Sequence, residues 1–456
     1  METSEYTAII LAAGQGTRMK SPLPKVLHPV AGQPMIQYIL NAVAKNKLKE
    51  VRVVVGVGEN LIRPLIESQG HTCHRQVQQL GTADAVRQAH PESIEGNVII
   101  INGDHPLISA ENIQQILQEF ETSKADVAVI SAVVKNPGSY GRVVRHYDQV
   151  KAIVEAKDAS QDTLKICEVN TGMYVVKADV LNAFLPKIQN NNKQNEFYLT
   201  DLIAASVDSK KKVIAISAPT NVAFGVNTQA ELAQATKKVM REKMKQLLAD
   251  GVIVIDPANT YVEPFVQVGP GSVLYPGCFL KGHTVIEAFC VIEPNVFMVD
   301  SRVGQSAQVR AGSYLEKAIV GNKSTVGPYA RLRPGSILAE EVHIGNFVEL
   351  KNTQMGARSK AGHLTYLGDA EIGEDTNIGC GTITCNYAVD KKKYKTKIGK
   401  NVFVGSDTQF VAPIEIGDNA VIGSGSTITK SVPDHALAVA RGKQFIKEGY
   451  TKKGDS

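Results

Sequence analysis

The chain of 456 residues has no tryptophan, only six cysteines and no long uninterrupted hydrophobic run. No two cysteines form a Cys-x-x-Cys pair, and we expect reduced, buried thiols. No apolar run approaches the roughly 18 residues of a membrane span, and we expect the N-terminus to lead directly into a strand, without a signal peptide. These absences predict a cytoplasmic protein without a membrane span.

An excess of charge of either sign is also lacking. The 50 basic and 45 acidic residues give a net charge of +5, which offers no argument for nucleic-acid binding. Hydrophobic residues make up 43% of the chain, an ordinary share for a globular protein. The length is sufficient for about two or three domains, each with its own core.

A glycine-rich loop follows the apolar run Tyr6–Leu11, which is typical of a buried strand. Gly14 and Gly16 have no Cβ, so the loop can bring bare backbone N–H groups against a phosphate. Arg18 and Lys25 add positive charge on the same loop. This combination predicts a nucleotide polyphosphate site; the alternative is a surface turn with scattered basic residues.

The spacing in this loop excludes two familiar phosphate-binding motifs. Met19 stands where a dinucleotide fingerprint has its third glycine, and where a Walker loop has the glycine before its lysine. The longer pattern, Leu11-x-x-Gly-x-Gly-x-Arg-Met followed by Pro24-Lys25, resembles instead the signature of sugar-1-phosphate nucleotidyltransferases.

Strand-like and helical patterns alternate over the first half, which predicts a parallel α/β sheet wound on both faces. Ligands of such sheets lie outside the carboxyl ends of the strands. Asn102-Gly103-Asp104 directly follows the apolar run Val98–Ile101, and a carboxylate there is a natural Mg²⁺ ligand near a triphosphate. The alternative is that Asp104 is a turn residue or helix cap before Pro106.

Residues 228–250 show the three- and four-residue apolar spacing of one long helix. Thr228 and Glu231 fit a capping box at its start, and Gly251 is well placed to end it. The helix is either a strut between two domains or an ordinary packed element, and the pattern favours neither.

From residue 252 onward a six-residue period replaces the alternation. Aliphatic residues recur every sixth position in several frames, often followed by glycine, as in Ile344-Gly345 and Ile422-Gly423. Such a period predicts a parallel β-helix. This hexad resembles the left-handed β-helix of acyltransferases, with three hexads per coil, and solenoids of that family generally assemble as trimers with shared active sites.

Arg333 and Lys351 are one full coil apart in an unbroken frame, so we expect them to stack at a strand spacing of about 4.8 Å. Like charges placed opposite each other destabilise a sheet unless something neutralises them. A bound phosphate would do that; solvated separation of the two long side chains is the alternative.

The hexad frame breaks between Leu350 and Ile372 and again between Ile378 and Ile398. We expect loops, where function tends to concentrate, to leave the solenoid at both breaks. His363 lies in the first break, and an imidazole can take a proton from an amine near neutral pH. A structural role is the alternative for a lone histidine.

In order and spacing, these motifs resemble the bifunctional bacterial family of N-acetylglucosamine-1-phosphate uridyltransferase/glucosamine-1-phosphate acetyltransferases over nearly the whole chain. For the first half, the resemblance implies that Arg18, Lys25 and Mg²⁺ stabilise the transition state, with Asp104 and Asn227 as metal ligands. The residues it implies in binding UTP and UDP-N-acetylglucosamine are Leu11, Ala12, Ala13, Gly14, Lys25, Gln76, Gly81, Thr82, Asn102, Gly103, Asp104, Gly141, Glu155, Asn170 and Asn227.

For the second half, the resemblance implies that His363 is the base of the acetyl transfer. The residues it implies in binding the acceptor sugar are Arg333, Lys351, Tyr366, Asn377 and Lys393. The residues it implies in binding acetyl-CoA are Cys380, Asn386, Tyr387, Ser406, Gly423, Ser424 and Arg441.

The chain departs from the family pattern at several of these positions. Asn102 replaces a usual aromatic residue, His105 a small apolar residue and Cys380 an alanine. The segment Asn386-Tyr-Ala-Val replaces Asn-Tyr-Asp-Gly and is followed by one extra residue before the lysine that matches Lys393.

The resemblance implies a Rossmann-like uridylyltransferase domain at residues 1–227, a linker helix at 228–251 and a left-handed β-helix acetyltransferase domain with a short tail at 252–456. Such an enzyme acetylates glucosamine 1-phosphate with acetyl-CoA and couples the resulting N-acetylglucosamine 1-phosphate to UTP, supplying peptidoglycan and lipopolysaccharide precursors. A cytoplasmic homotrimer is implied. The alternatives are a nucleotidyltransferase whose β-helix serves only assembly or regulation, and a β-helix scaffold whose first domain only binds nucleotide.

Overall fold

The fold comes from a computed structural model, which describes residues 5–450. Contacts divide the described chain into two compact units, with the division between Val239 and Met240. None of the helices described in this range is long and apolar enough to cross a membrane.

The first unit is built on a mostly parallel sheet. The strands of this unit are β1 (Tyr6–Ala12), β2 (Pro29–Val30), β3 (Gln33–Pro34), β4 (Glu50–Val55), β5 (Thr72–Arg75), β6 (Asn97–Asn102), β7 (Val127–Val133), β8 (Arg142–His146), β9 (Gln149–Val154), β10 (Glu168–Lys177) and β11 (Val213–Ser217). Of these, β2 and β3 pair only with each other, as a separate antiparallel hairpin. The sheet order is β11-β7-β10-β6-β1-β4-β5. The predicted parallel sheet is confirmed except at β10, which runs antiparallel to β6 and β7, and at the β8–β9 hairpin beside it.

Helices cover both faces of this sheet, as the alternating pattern predicts. They are α1 (Met35–Lys45), α2 (Glu59–Glu67), α3 (Thr82–Gln88), α4 (Ala110–Ser123), α5 (Gln161–Leu164), α6 (Ala178–Phe184) and α7 (Asp201–Asp208), with 3₁₀ turns at Thr17–Met19, Lys25–Leu27, Pro91–Ser93 and Leu185–Lys187. Apolar residues of α1, α2 and α4 pack on one face, and those of α3, α6 and α7 on the other. The central strands are therefore buried on both sides, which is why they are continuous apolar runs.

The predicted long helix is α8 (Gln229–Ala249). At its start the Glu231 N–H donates to the Thr228 hydroxyl at 3.2 Å, and the Glu231 carboxylate accepts the Asn227 N–H at 2.8 Å. At its end Gly251, with φ +84°, donates to the Leu248 carbonyl. The predicted caps are confirmed, with Asn227 rather than Thr228 as the backbone donor to Glu231.

The apolar stripe of α8 is packed within each unit. Leu232 and Val239 lie against a small cluster of the first unit that contains Val30 and Met35. Met244 and Leu247 belong to the main core of the second unit. The stripe is thus an ordinary packed face along both parts of the helix.

Strands of the second unit stack in parallel sheets that form three faces. Face 1 contains Ile253–Val254, Val273–Leu274, Val291–Ile292, Gln308–Val309, Thr325–Val326, His343–Asn346, Lys360–His363, Asn377–Ile378, Phe403–Val404, Val421–Ile422 and Leu437–Ala438. Face 2 contains Tyr261–Val262, Phe279–Lys281, Phe297–Val299, Tyr314–Glu316, Arg331–Leu332, Glu349–Lys351, Tyr366–Gly368, Ile383–Cys385, Gln409–Val411 and Thr427–Ile428. Face 3 contains Gln267–Val268, Val285–Ile286, Arg302–Val303, Ile319–Val320, Ile337–Leu338, Gln354–Met355, Ala370–Ile372, Thr396–Ile398 and Ile414–Ile416.

The aliphatic residue of each hexad points into the core between the three faces. Leu274 pairs with Ile292 on the next coil and Leu280 with Met298, and all four are fully buried. Three hexads therefore make one coil. The predicted solenoid is confirmed, and its stacked parallel strands are consistent with a left-handed β-helix.

The predicted loop at the first frame break is wrong. The chain stays in the coil there, and Met355, Ala361 and Leu367 fill the inward positions. The six-residue pattern of large aliphatic residues did not indicate these positions, because Ala361 is small and because the frame slips by one residue before Met355 and again after Leu367. The second break does carry a loop, residues 386–395, in which Tyr387 and Lys393 form an isolated antiparallel bridge.

The cysteines are free thiols, but the expectation that they are buried holds only for Cys278 and Cys290. Both lie in the β-helix core, where burial raises the pKa of Cys278 to about 11. Cys167, which directly precedes β10, is exposed, and Cys73, Cys380 and Cys385 are half-buried.

Candidate functional site

A cavity of about 280 Å³ opens at the carboxyl ends of β1 and β6. These strands are hydrogen-bonded neighbours, with Leu11 opposite Asn102, which brings the glycine-rich loop beside the Asn102-Gly103-Asp104 turn. The predicted residues that line the cavity are Leu11, Ala12, Ala13, Gly14, Lys25, Gln76, Gly81, Thr82, Asn102 and Asp104. Gly103 is held at the rim by its N–H bond to the Leu11 carbonyl.

Glycine is required where the loop turns over Lys25. Gly16 has φ +63°, a left-handed conformation that other residues rarely adopt. A Cβ at this position would lie 2.7 Å from Lys25 Cβ. The glycine thus allows the loop to fold against the lysine and direct its side chain into the cavity.

Sequence reasoning missed two polar residues of the cavity, Gln79 and Glu196. The Gln79 side-chain amide donates to the Ala13 carbonyl and so braces the glycine-rich loop. Gln76, which was predicted, is itself held by Asp84, whose carboxylate accepts its amide at 2.8 Å. Gln79 lies between the predicted residues Gln76 and Gly81 and could have been found by position, whereas Glu196 follows a polar run that carries no motif.

Two side-chain oxygens converge on the Lys25 ammonium group. Lys25 Nζ donates to Asn227 Oδ1 at 2.6 Å and forms an ion pair with Asp104 Oδ2. Arg18 also donates to Asn227 Oδ1, at 2.9 Å. Burial by itself would raise the pKa of Asp104, but Lys25, together with His105, lowers it, so the carboxylate stays ionised.

The same convergence tests whether these residues fit a divalent cation. Asp104 and Asn227 turn a carboxylate and an amide oxygen toward one positive charge, and both are hard donors of the kind that Mg²⁺ prefers. Among residues 5–450 no group of three or more His, Cys, Asp and Glu side chains is arranged to hold a metal by itself. The pair therefore fits a cation that takes its other ligands from phosphates and water.

The three predicted sugar-contacting residues also lie together. The Asn170 N–H donates to the Gly141 carbonyl at 2.9 Å, and a Cβ at Gly141 would lie 3.4 Å from Glu155 Oε1. These three residues do not line the 280 Å³ cavity. Asn102, which does line it, connects the cavity to them, because its amide lies directly against Gly172 on β10. Burial, followed by the charges of Asp158 and Asp201, raises the pKa of Glu155.

In the second unit, Arg333, Lys351 and Lys393 form a cluster of positive charge. Leu332 pairs with Leu350, so Arg333 and Lys351 follow side by side on neighbouring coils, which confirms the predicted stacking. The Lys393 ammonium beside Lys351 lowers the pKa of Lys351, and burial and Arg333 act in the same direction. Loop 386–395 thus brings Lys393 to the stacked pair despite the extra residue in its sequence.

His363 lies at the end of its strand on face 1, next to the corner with face 2. Its Nδ1 is 2.7 Å from Asn346 Oδ1, directly opposite on the neighbouring coil. An amide oxygen only accepts hydrogen bonds, so Nδ1 carries the proton, and in the neutral imidazole the free electron pair is on Nε2. This arrangement is suited to taking a proton at Nε2.

Tyr366 and Asn386 meet over Gly368. A Cβ at Gly368 would lie 2.4 Å from the Tyr366 hydroxyl and 2.7 Å from Asn386 Nδ2, so only glycine lets both approach. Asn386 is held there by Asp369, whose carboxylate accepts its amide at 2.5 Å. Tyr366 and Gly368 lie on face 2, together with Lys351, and Asn386 directly follows the next strand of that face.

Most of the residues predicted for acetyl-CoA lie along one corner of the β-helix. The Cys380 carbonyl accepts the Asp407 N–H at 2.6 Å, and the Ser406 carbonyl accepts the Gly425 N–H at 2.8 Å. On the next coil Arg441 donates to the carbonyl of Ser424, which follows Gly423. Tyr387 stands apart on loop 386–395, largely exposed.

Asn377 is not brought to the other acceptor-sugar residues within the chain. It lies exposed on face 1, whereas Lys351 and Tyr366 lie on face 2. In a solenoid of three faces, residues on two different faces cannot contact one small ligand except at their shared corner.

Known protein families match both units. A MobA-like NTP transferase domain matches residues 8–166, a GMPPB C-terminal domain residues 258–361 and bacterial transferase hexapeptide (six repeats) residues 395–430. The bifunctional protein GlmU of Bdellovibrio bacteriovorus is 60% identical over 447 residues, which cover 98% of each chain. Proteins of the same name from Pelobacter propionicus and Clostridium acetobutylicum are 44% and 41% identical, over 97% and 98% of each chain.

Proposed function

The chain belongs to the family of bifunctional GlmU proteins, and from this premise we propose how its own residues perform the two reactions. It is a bifunctional transferase that makes UDP-N-acetylglucosamine. Acetyl passes from acetyl-CoA to glucosamine 1-phosphate, and uridylyl passes from UTP to N-acetylglucosamine 1-phosphate with release of pyrophosphate. We assign uridylyl transfer to residues 1–227 and acetyl transfer to residues 252–456, joined by the helix at 228–251.

For uridylyl transfer, the cavity between the glycine-rich loop and Gly81-Thr82 holds UTP. A phosphate oxygen of the sugar attacks the α-phosphorus, a new P–O bond forms, and the bond from the α-phosphorus to the bridging oxygen of pyrophosphate breaks. Arg18 and Lys25 stabilise the negative charge that spreads over the phosphoryl oxygens. Gly141, Glu155 and Asn170 position the sugar.

The family requires a divalent metal, which we take to be Mg²⁺. Asp104 and Asn227 would hold it, and it would neutralise phosphate charge when bound. Lys25 contacts both oxygens in the structure and would then be free to turn its ammonium group to the phosphates.

For acetyl transfer, His363 Nε2 takes a proton from the amine of glucosamine 1-phosphate as the nitrogen attacks the thioester carbonyl. The C–N bond forms, the C–S bond breaks, and the proton passes on to the leaving thiolate of CoA. Arg333, Lys351 and Lys393 bind the sugar phosphate, with Tyr366 beside it, and Asn386 belongs to the residues that bind acetyl-CoA. Asn346 keeps the imidazole in the tautomer that the step requires.

The cluster of Arg333, Lys351 and Lys393 is the observation that most strongly supports this proposal. Glu349 pairs with Arg333 at 2.9 Å, but Lys351 and Lys393 lie side by side, and a bound phosphate would relieve the repulsion between them. A solenoid that served only assembly would need neither such a cluster nor an imidazole oriented like that of His363.

We propose that the active form is a cytoplasmic homotrimer that supplies peptidoglycan and lipopolysaccharide synthesis. Asn377 and the Cys380–Arg441 corner lie apart from the Lys351 cluster, and a second copy packed in parallel would bring such residues to one site. Size-exclusion chromatography with light scattering should report about three times the mass of one chain. A catalytically active monomer would contradict the shared site.

The experiment that tests the two reactions together is a pair of assays on the purified protein. Thiol release from acetyl-CoA should depend on glucosamine 1-phosphate, and pyrophosphate release from UTP should depend on N-acetylglucosamine 1-phosphate. His363→Ala should lower the first by about 10²–10⁴-fold and leave the second unchanged. Pyrophosphate release without any thiol release by the unaltered protein would reduce the β-helix to a scaffold.

A further inference from the structure

His105 is a buried polar residue in the first unit that neither reaction step uses. It follows Asp104 directly, is 7% exposed and does not line the 280 Å³ cavity. It stands where the family resemblance leads us to expect a small apolar residue. A buried imidazole in such a position calls for a reason of its own.

The His105 ring contacts both segments that carry the proposed metal ligands. Its Nδ1 is 2.9 Å from the Val222 carbonyl oxygen, so Nδ1 carries the proton and donates it. Its Nε2 lies 3.5 Å from Asp104 Oδ1, on the side of the carboxylate away from Lys25. The ring therefore lies against one carboxylate oxygen while the other pairs with Lys25.

The segment of residues 221–227 is shaped to receive this ring. A Cβ at Gly225 would lie 2.8 Å from His105 Nε2, so glycine leaves the space that the imidazole fills. The Val226 N–H donates to the Asp104 carbonyl at 3.0 Å, and the Asn221 side chain donates to the Leu107 carbonyl at 2.9 Å. The 221–227 segment and the Asp104 turn are thus joined by three hydrogen bonds, one of them from His105.

We propose that His105 is a positioning residue for the divalent-cation site: by binding the Val222 carbonyl it holds Asn227 in register with Asp104. This rests on the proposed function, in which those two residues hold the metal. Groups that orient metal ligands in this way typically change metal affinity by about 10–100-fold when they are removed.

A matched pair of substitutions separates the hydrogen bond from the bulk of the ring. In His105→Asn the amide nitrogen can take the place of Nδ1 and donate to Val222. In His105→Gln the amide reaches toward the place of Nε2, and the bond to Val222 is lost. His105→Val removes both polar contacts and keeps a branched side chain in the space beside Gly225.

The readout is the binding of Mn²⁺ to the full-length protein at saturating UDP-N-acetylglucosamine. It is measured from the electron paramagnetic resonance signal of the Mn²⁺ that remains free. We expect the dissociation constant to rise about tenfold in His105→Val and His105→Gln and to stay close to the unaltered value in His105→Asn. The Mg²⁺ concentration for half-maximal uridylylation should rise in parallel, while KM for N-acetylglucosamine 1-phosphate stays constant.

Equal Mn²⁺ affinity in all variants, or equal loss in His105→Asn and His105→Gln, overturns the inference. Thermal unfolding confirms that each variant is folded before it is compared. Asp104→Asn is the reference: if it leaves Mn²⁺ affinity unchanged, the proposed metal site itself fails. If Asp104→Asn weakens binding and His105→Val does not, the metal site stands and only the role of His105 is refuted.

Discussion

His363 Nδ1 donates a hydrogen bond to Asn346 Oδ1 at 2.7 Å, from one coil of the β-helix to the next. The two residues are exact partners in the register of face 1, so the stacking of coils places the amide against the ring. Because the bond occupies Nδ1, the imidazole is restricted to the tautomer with its electron pair on Nε2. The orientation of the base is thus a product of the solenoid repeat.

Removing the base or its partner should affect only acetyl transfer. We expect His363→Ala to lower kcat for thiol release by about 10²–10⁴-fold, the usual contribution of a general base. Asn346→Ala should lower it less, because the ring remains but can adopt the other tautomer. Gln354→Ala, which removes an exposed amide from face 3, is the matched control and should leave both activities unchanged.

The crowded cations predict an alkaline limit for binding of the acceptor phosphate. The ammonium of Lys393 lowers the pKa of Lys351, so Lys351 is charged below this lowered value and loses its charge as the pH rises through it. Lys393→Met should let the pKa of Lys351 return toward its ordinary value and move the alkaline rise of KM for glucosamine 1-phosphate to higher pH. At neutral pH the same variant should bind the substrate more weakly, because one cation is gone.

That shift is measured as the difference between two profiles of KM against pH. The amine of the substrate titrates identically in both, so it cancels from the comparison. Coincident alkaline limbs in Lys393→Met and the unaltered protein would show that Lys393 does not act on Lys351.

Metal removal should separate the two activities. A chelator should stop pyrophosphate release, because the phosphates of UTP lose the cation that we place between Asp104 and Asn227, and it should leave thiol release unchanged. Asp104→Asn should lower uridylylation by about 10²-fold or more even with excess Mg²⁺. Asp148→Asn, an exposed carboxylate in the β8–β9 hairpin, is the control, and equal losses in the two variants would argue against a specific ligand.

Ionisation of Glu155 should lower the stability of the fold as the pH rises, whereas ionisation of a carboxylate in an ion pair raises it. Burial and then the charges of Asp158 and Asp201 raise its pKa in the folded protein, so ionisation above the pKa of the unfolded chain destabilises the fold. Glu155→Gln should therefore raise Tm by about 2 °C or more at neutral pH. The difference should vanish below about pH 4, where the carboxyl group is protonated in both states.

The same substitution should weaken binding of N-acetylglucosamine 1-phosphate, since we place Glu155 against the sugar. Calorimetry across pH, together with KM for the sugar phosphate, gives both quantities. A lower Tm at neutral pH would mean that the Glu155 carboxylate makes a stabilising contact that outweighs its burial.

Much of this protein is determined by local pattern. Period-six aliphatics such as Leu274 and Ile292 define the solenoid because each must face the core once per hexad, and any two positions one coil apart must stack. Strand–loop–helix alternation likewise predicts that Leu11 and Asn102 end on the same edge of the sheet. For these features, the spacing of residues along the chain determines which of them come close together.

Only the tertiary structure decided what depends on long-range approach. Nothing local indicates that Asn346 would bind His363, that Lys393 would reach Lys351 across an altered loop, or that the His105 ring would fit against Gly225. The inward position of Ala361 was not predicted either, since a small residue adds little to a pattern of large aliphatic residues. Periodicity determines which face a residue occupies, whereas side-chain partners are selected by the packing of segments distant in the chain.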